Sequence, residues 1–414
     1  MRPETIRVID IWAGRAICFL LTVVRRFLDG LAGRLDPAAP PRRILFVKLI
    51  EQGATVLAAG AVERAAAMVG RENVFFCVFE ENREILDILD LVPPGNIIPV
   101  RHANFAVFVL DVLRLVARVR REGVDAVIDM EFFARASAIL SFLTGAGKRV
   151  GLHRYTAEAP YRGDLFTHRV QYNPYLHTAA AYEALVAALA AGAEDEPLLK
   201  EDARPLGKKV PAFRPSAGET LKVKALLEEA FGGEATGGPL VLLNPNASDM
   251  LPLRKWPAER FVALGKMILR DFPQARIAVT GAPSEADAAE EIRRLIGTRR
   301  TACLAGRTSL RDLIVLYTLS DVLVTNDSGP GHFASLTDIH SVVLYGPETP
   351  RLFGAVGGNS HVLYAGLACS PCVNVFNHRF SPCRRNRCME AITVEEVYGV
   401  VARCLRERQG AGHE

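Results

Sequence analysis

Arg43-Ile44-Leu45-Phe46-Val47-Lys48-Leu49 is the stretch on which the fold turns. Its apolar residues run on without the alternation of a half-exposed strand, as in a strand buried on both faces of a parallel sheet. Gly53 follows, and residues 55–69 then have helical character. The same succession repeats downstream. Short apolar runs at 74–78, 97–100, 126–130 and 149–152 are separated by helical stretches at 84–91, 106–122 and 134–144. Repeated strand–helix alternation predicts an open parallel α/β sheet.

A second series begins after residues 193–218, which are charged and proline-rich without a clear period. They are expected to connect two domains. Strands are expected at 239–244, 275–280, 322–325 and 341–344, and helices at 258–272, 285–296 and 310–319. Two Rossmann-like halves joined by a linker predict a cleft, with a ligand outside the carboxyl ends of the strands. The expected division is 1–41 for an N-terminal helix and linker, 42–205 for the first domain and 206–414 for the second. The second carries a cysteine-rich loop at 369–388. A chain of 414 residues, 50% hydrophobic and 23% charged, has material for two or three cores and is not a disordered tail or a disulfide miniprotein. The net charge of +4 is too small to predict nucleic-acid binding.

Upstream of the first strand, residues 11–24 (IWAGRAICFLLTVV) include Arg15 and are closed by Arg25-Arg26. A membrane-spanning helix needs about 20 apolar residues, and LDGLAGRLD is a poor signal-peptidase site. On a helical wheel Arg15, Thr22, Arg26 and Asp29 share one side, away from Trp12, Phe19, Leu20 and Val23. Such an amphipathic helix either lies in a membrane interface or packs on the protein as an ordinary N-terminal helix. Pro37 to Pro41 (PAAPP) separates it from the first strand and favours the membrane.

Several motifs stand in order along the second half: Asn244-Pro245-Asn246-Ala247-Ser248, Arg254-Lys255-Trp256-Pro257, Gly281-Ala282-Pro283-Ser284-Glu285 and Leu304-Ala305-Gly306-Arg307-Thr308-Ser309-Leu310. Thr325-Asn326-Asp327-Ser328-Gly329-Pro330-Gly331-His332 and Tyr345-Gly346-Pro347 complete the series. In this order and spacing the chain, over roughly residues 42–400, resembles the ADP-heptose:lipopolysaccharide heptosyltransferases, glycosyltransferase family nine. The resemblance implies a GT-B fold of two Rossmann-like domains facing a cleft. It also implies inversion of the donor sugar's anomeric configuration, a nucleotide on the C-terminal domain and an acceptor on the N-terminal one. By the same resemblance the last helix, residues 394–408, crosses back to the first domain.

The residues suit those roles chemically. A helix N-terminus near Asp327, Ser328, Gly329 and His332 offers N–H groups to a diphosphate. Arg254 stands where the family usually has lysine and can hold phosphate bidentately. Glu285 matches the family's ribose contact. The bland readings are a helix cap for Asp327, a first-turn acid for Glu285 and a solvated charge for Arg254. The main departure lies at Lys48-Leu49-Ile50-Glu51-Gln52-Gly53-Ala54-Thr55, where Ala54 occupies the family's proposed general-base aspartate. Either Glu51 or Glu131 takes the proton, or the chain binds without transferring; Glu51 is favoured because its loop must approach the cleft. Arg135 and His177, with Asp129, Lys148 and Arg149, are weaker candidates for contacts to an anionic acceptor.

Cys369, Cys372, Cys383 and Cys388 form two close pairs, the spacing of a tetrahedral thiolate site, so a structural zinc is one expectation and idle thiols the other. No cofactor is expected for catalysis. The expected function is sugar transfer from a nucleoside diphosphate donor, heptose by resemblance, to a lipopolysaccharide-core glycolipid, by a cytoplasmic protein peripheral at the inner membrane. The alternative is a non-catalytic nucleotide-sugar- or glycan-binding member of the same fold. A sugar-nucleotide epimerase on this fold lacks support from the ordered motifs.

Overall fold

The computed structural model describes residues 3–32, 39–192, 196–200, 202–204, 206–207, 210–233, 237–247, 251–377 and 380–411, with the side chains of the two terminal helices described for 8–27 and 394–408. Ser248 and parts of the expected linker (193–195, 201, 205, 208 and 209) lie outside the described residues. The chain forms two units, Met1–Lys209 with Val375–His378, and Val210–Asn374 with Arg379–Glu414.

In the first unit, β1 (Ile44–Val47), β2 (Val74–Phe79), β3 (Ile97–Val100), β4 (Ala126–Asp129), β5 (Lys148–His153) and β6 (His168–Gln171) form a sheet in the order β3-β2-β1-β4-β5-β6. Every pairing is parallel, with Ile44 opposite Val74 on one side and Ala126 on the other. All four residues of β1 are fully buried, as its unbroken apolar run requires. In the second unit, β7 (Leu240–Asn244), β8 (Arg276–Val279), β9 (Thr301–Cys303), β10 (Val322–Asn326), β11 (His340–Tyr345) and β12 (Ser360–Tyr364) take the order β12-β11-β10-β7-β8-β9. Read from its other edge, this is the same winding. In each unit the strand order reverses beside the first strand, between β1 and β4 and between β7 and β10. The loops leaving those two strands diverge there, and the gap is where such sheets bind ligands.

Sequence patterning misses β6, β9 and β12. All three are edge strands, short and rich in polar residues, so they lack the apolar run that marks a central strand. It also misses the helix Ala217–Ala230, whose start is a capping box: Ser216 N–H donates to Glu219 Oε2 at 2.8 Å, and Glu219 N–H to Ser216 Oγ at 3.3 Å.

The terminal helices behave oppositely. The C-terminal helix Val394–Ala411 is part of the second unit. It buries Val397, Val401, Cys404 and Leu405 in the core that also holds Phe261 and Ile268 of the helix Ala258–Asp271. The N-terminal helix Pro3–Ala32 packs on the helix Arg135–Leu143, with Cys18 buried among Ala138, Leu165 and Phe166. Polar groups fasten it. Asp10 accepts from the Arg135 and Ala136 N–H groups at 3.0 and 2.9 Å and from the Arg135 guanidinium at 3.1 Å. Thr22 Oγ1 accepts from Asp164 N–H at 2.9 Å, and Arg25 pairs with Asp164 at 2.6 Å. Trp12, Phe19, Leu20, Val23 and Phe27 face outward; Trp12 is 71% exposed. Among the described residues no helix is long and apolar enough to cross a membrane.

Candidate functional site

The gap between β1 and β4 holds a buried charge cluster. Lys48, the residue after β1, is fully buried, with its Nζ 3.1 Å from Glu131 Oε2 and 3.6 Å from Glu51 Oε2. Glu131 Oε1 accepts from the Leu49 and Ile50 N–H groups at 2.7 and 3.2 Å. One carboxylate thus neutralises the lysine and satisfies the turn leaving β1. Asp129, at the end of β4, accepts from Glu131 N–H at 2.9 Å, Ser137 Oγ at 2.9 Å and Arg162 at 2.7 Å. Burial pushes the Asp129 carboxyl up to about 6, opposed by the Arg162 guanidinium.

Glu51 is the exception in this loop. It caps the helix Gln52–Leu57 at φ 72°, ψ 90°, a left-handed conformation that costs a non-glycine residue about 1–3 kcal/mol. Its carboxylate is too far from Lys48 for a hydrogen bond and stays partly accessible at 16%. Ala54 is half-buried within the same short helix.

The other first-unit candidates have structural partners. Arg135 is fully buried beneath the N-terminal helix, where a Cβ added at Gly14 would lie 2.9 Å from its side chain. An acceptor would reach it only if that helix moved. His177 caps the helix Thr178–Ala187 through Nδ1, which accepts from Ala179 N–H at 3.2 Å. Lys148 and Arg149 donate to the backbone carbonyls of Leu189, Leu165 and Ala146. A cavity of about 580 Å³ lies along the N-terminal helix, lined among others by Ile11, Arg15, Arg154, Tyr161 and Phe376.

The gap between β7 and β10 holds a second buried cluster, of opposite balance. Arg254 ends a short 3-10 turn, Pro252–Arg254. Its guanidinium donates to the Asp327 carbonyl at 3.2 Å, pairs with Glu348, and faces Asp327 Oδ2 at 3.6 Å. Asp327 is 3% exposed and Glu348 2%. Two buried acids share one cation. Burial, aided by the neighbouring Asp327 charge, raises Glu348 to about 8, and burial also raises Asp327. Arg254 Nε, the atom that faces Asp327 Oδ2, has no hydrogen-bond partner among the described residues.

Asn326 draws the ordered motifs together. Its Oδ1 accepts from Trp256 N–H at 3.0 Å, and its Nδ2 donates to the Pro245 and Asn246 carbonyls at 2.9 and 3.2 Å. Glu285 Oε2 accepts from Ala282 N–H at 2.7 Å, and Gly281 lets Asn246 approach: a Cβ there would meet Asn246 Nδ2 at 2.7 Å. Ser328 precedes the helix Gly329–Ala334, which starts three residues before His332 and runs for 6 residues; His332 itself is buried. Sequence reasoning missed Lys48, Arg162 and Glu348 as members of these clusters. A lysine closing an apolar run and an acid directly after Tyr345-Gly346-Pro347 were signals for two of them. Arg162 lies in an irregular loop with no pattern to mark it.

Of the four cysteines, Cys388 is buried, Cys372 half-buried, and Cys369 and Cys383 exposed. Among the described residues they do not gather three donors within 4.8 Å of one another.

Residues 112–379 match the model of glycosyltransferase family 9 (heptosyltransferase). The chain is 32% identical over 115 residues to lipopolysaccharide heptosyltransferase 2 of Salmonella typhimurium, covering 27% of this chain and 32% of that protein. It is 26% identical over 165 residues to lipooligosaccharide heptosyltransferase 2 of Campylobacter jejuni, covering 39% and 50%. The matched stretches therefore span a third to a half of these relatives. The solved ADP-heptose lps heptosyltransferase II of E. coli shares the fold, with a TM-score of 0.67 at 18% identity over 89% of this chain and 99% of that one. With the family model matching more than half of the 414 residues, on two sheets wound alike, the chain belongs to glycosyltransferase family 9.

Proposed function

We propose that the protein is an inverting glycosyltransferase that moves a sugar from a nucleoside diphosphate to a glycolipid. The observation that carries this reading is the Arg254–Asp327–Glu348 cluster at the strand-order reversal of the second sheet. A buried guanidinium whose Nε makes no hydrogen bond among the described residues suits a diphosphate, which would complete its hydrogen bonds. Arg254, Asp327, Ser328, Gly329 and His332 would hold the phosphates and Glu285 the ribose. Heptose as the sugar, ADP as the nucleotide and a lipopolysaccharide core as the acceptor are read from the names of the similar proteins.

In a single displacement an acceptor hydroxyl attacks the anomeric carbon, the bond to the β-phosphate oxygen breaks and the nucleoside diphosphate leaves. The hydroxyl proton goes to a base. Between the two carboxylates of the first unit, Glu131 is engaged by Lys48 and two backbone N–H groups, whereas Glu51 is strained and partly accessible. We assign the base to Glu51 and a positioning role to Glu131. On the acceptor side, Arg15 and Arg154 in the cavity along the N-terminal helix suit anionic groups better than the enclosed Arg135 or the capping His177. The outward apolar face of that helix would lie on the cytoplasmic face of the inner membrane. A structural zinc on Cys369, Cys372, Cys383 and Cys388 would need their loop to draw together; elemental analysis of protein purified without chelators tests it.

The deciding experiment incubates the protein with ADP-heptose and a heptose-deficient lipopolysaccharide acceptor, measuring ADP release and the anomeric configuration of the product. Stoichiometric ADP with an inverted linkage supports transfer. Tight ADP binding with no product favours the non-catalytic alternative, which Ala54 motivates. Flotation with anionic vesicles, lost on replacing Trp12 and Phe19 by serine, tests the membrane placement.

A further inference from the structure

A third cluster of chemically able side chains lies in the second unit, apart from the two buried charge clusters and the cysteine-rich loop. His340 opens β11, His361 is the second residue of β12, and Cys404 is on the C-terminal helix. Each offers one donor atom, and the three atoms lie within 4.8 Å of one another. Among the described residues this is the one group of three or more His, Cys, Asp or Glu side chains so gathered. His340 Nδ1 and His361 Nε2 are 3.2 Å apart, with the ring planes 18° from parallel. Two nitrogens each about 2.0–2.1 Å from one ion at a tetrahedral angle stand about 3.3 Å apart. Cys404 is fully buried and the two histidines are half-buried, so an ion would be reached from the histidine side.

We propose that His340, His361 and Cys404 bind a divalent transition metal of the zinc type. Two imidazoles and a thiolate are a donor set that zinc and cobalt favour over magnesium or calcium. Glu407, three residues after Cys404 on the same helix, acts electrostatically on all three groups but is not gathered with them, so the fourth position is left to water. Arg403 and Arg408 also act on the cluster and oppose the ion's charge, and Asp321 acts on His340 with the opposite sign. Binding releases the Cys404 thiol proton to solvent. It also replaces the contact between the facing ring nitrogens by two metal–nitrogen bonds, leaving the proton of each ring on its outer nitrogen.

The role follows from position. Val322, the first residue of β10, pairs with His340, and Asn326 is its last residue, immediately before Asp327. The cluster thus lies at the amino ends of the strands, roughly five residues at about 3.3 Å each from the carboxyl ends where Asp327 stands. The metal would clamp the two outermost strands, β11 and β12, to the C-terminal helix, and would not touch the donor site.

The test is cobalt titration of tag-free full-length protein carrying Cys369→Ser, Cys372→Ser and Cys383→Ser, which removes the other thiolate cluster as a competing site. The expected result is one equivalent of Co²⁺ with tetrahedral d–d bands and one thiolate charge-transfer band, displaced by Zn²⁺, with a rise in Tm on adding zinc. His361→Ala, on a half-exposed edge strand, should weaken binding by more than the roughly 10–100-fold that losing an outer-sphere partner costs. Cys404→Ser should remove the charge-transfer band. If Cys404→Ser does not fold, His361→Gln and His340→Gln carry the comparison. Absence of bound cobalt, or unchanged binding and spectrum in His361→Ala, overturns the proposal and leaves an imidazole–imidazole hydrogen bond.

Discussion

The gap beside β1 and the gap beside β7 occupy the same place in two sheets of the same winding, and both are filled with buried charge. They are resolved differently. In the first unit the lysine meets a carboxylate that also satisfies two backbone N–H groups, so the cluster builds the turn that displays Glu51. In the second, two acids compete for one arginine, Glu348 is pushed up to about 8, and among the described residues Arg254 Nε makes no hydrogen bond, with Asp327 Oδ2 3.6 Å away. On the proposed function, the cluster closed on itself holds geometry and the incomplete one receives a ligand, so the contrast would separate positioning from binding in two halves of one topology.

The sharpest way to break this contrast is at Glu51. Glu51→Gln should lower turnover by about 10²–10⁴-fold, the usual worth of a general base, with ADP affinity nearly unchanged. Partial recovery in Glu51→Ala with Ala54→Asp would sharpen it. Unimpaired turnover in Glu51→Gln would return the base to Glu131 or to no residue.

Glu131→Ala comes next, because it leaves Lys48 charged and buried and two N–H groups unsatisfied. Breaking a buried pair in this way costs about 3–5 kcal/mol, to be read from urea denaturation of full-length protein. A loss below about 1 kcal/mol would mean that the first cluster does not brace the turn after β1.

Arg254→Ala should weaken ADP by about 10–100-fold, the worth of hydrogen bonds to a charged group, and adenosine much less. Equal losses for both ligands, measured by calorimetry, would take Arg254 out of the phosphate role.

The smallest effect is the dependence on pH. Glu348 is raised above its ordinary carboxylate value, so its proton stabilises the fold fully below about pH 4.5, and that contribution is lost as pH rises through about 8. A protonated Glu348 also leaves Arg254 free to meet phosphate. ADP affinity should therefore fall several-fold from pH 7 to pH 9, and Glu348→Gln should flatten both profiles. A profile unchanged by Glu348→Gln would assign the titration elsewhere.

The two terminal helices show where sequence reading stops. Both are amphipathic and legible as helices. The C-terminal one turns its apolar side to the core of the second unit. The N-terminal one turns polar side chains, Asp10, Thr22 and Arg25, to the protein and apolar ones outward. A helical wheel gives two faces; which one meets the protein depends on partners more than 100 residues away, Arg135 and Asp164.

Sequence by itself determined the central strands, the helices between them, the two-half organisation and the ordered motifs around Arg254, Asp327 and Glu285. Buried parallel strands are unbroken apolar runs, and glycine- and proline-bearing loops have local chemistry. Tertiary structure alone decided that Glu131 closes on Lys48, that Glu348 joins Arg254, that Arg135 lies under a helix and that His340, His361 and Cys404 converge. The physical reason is that long-range charge pairing carries no periodicity. A carboxylate's partner is set by which strands lie side by side, and strand order is a property of the folded sheet rather than of any local stretch of chain.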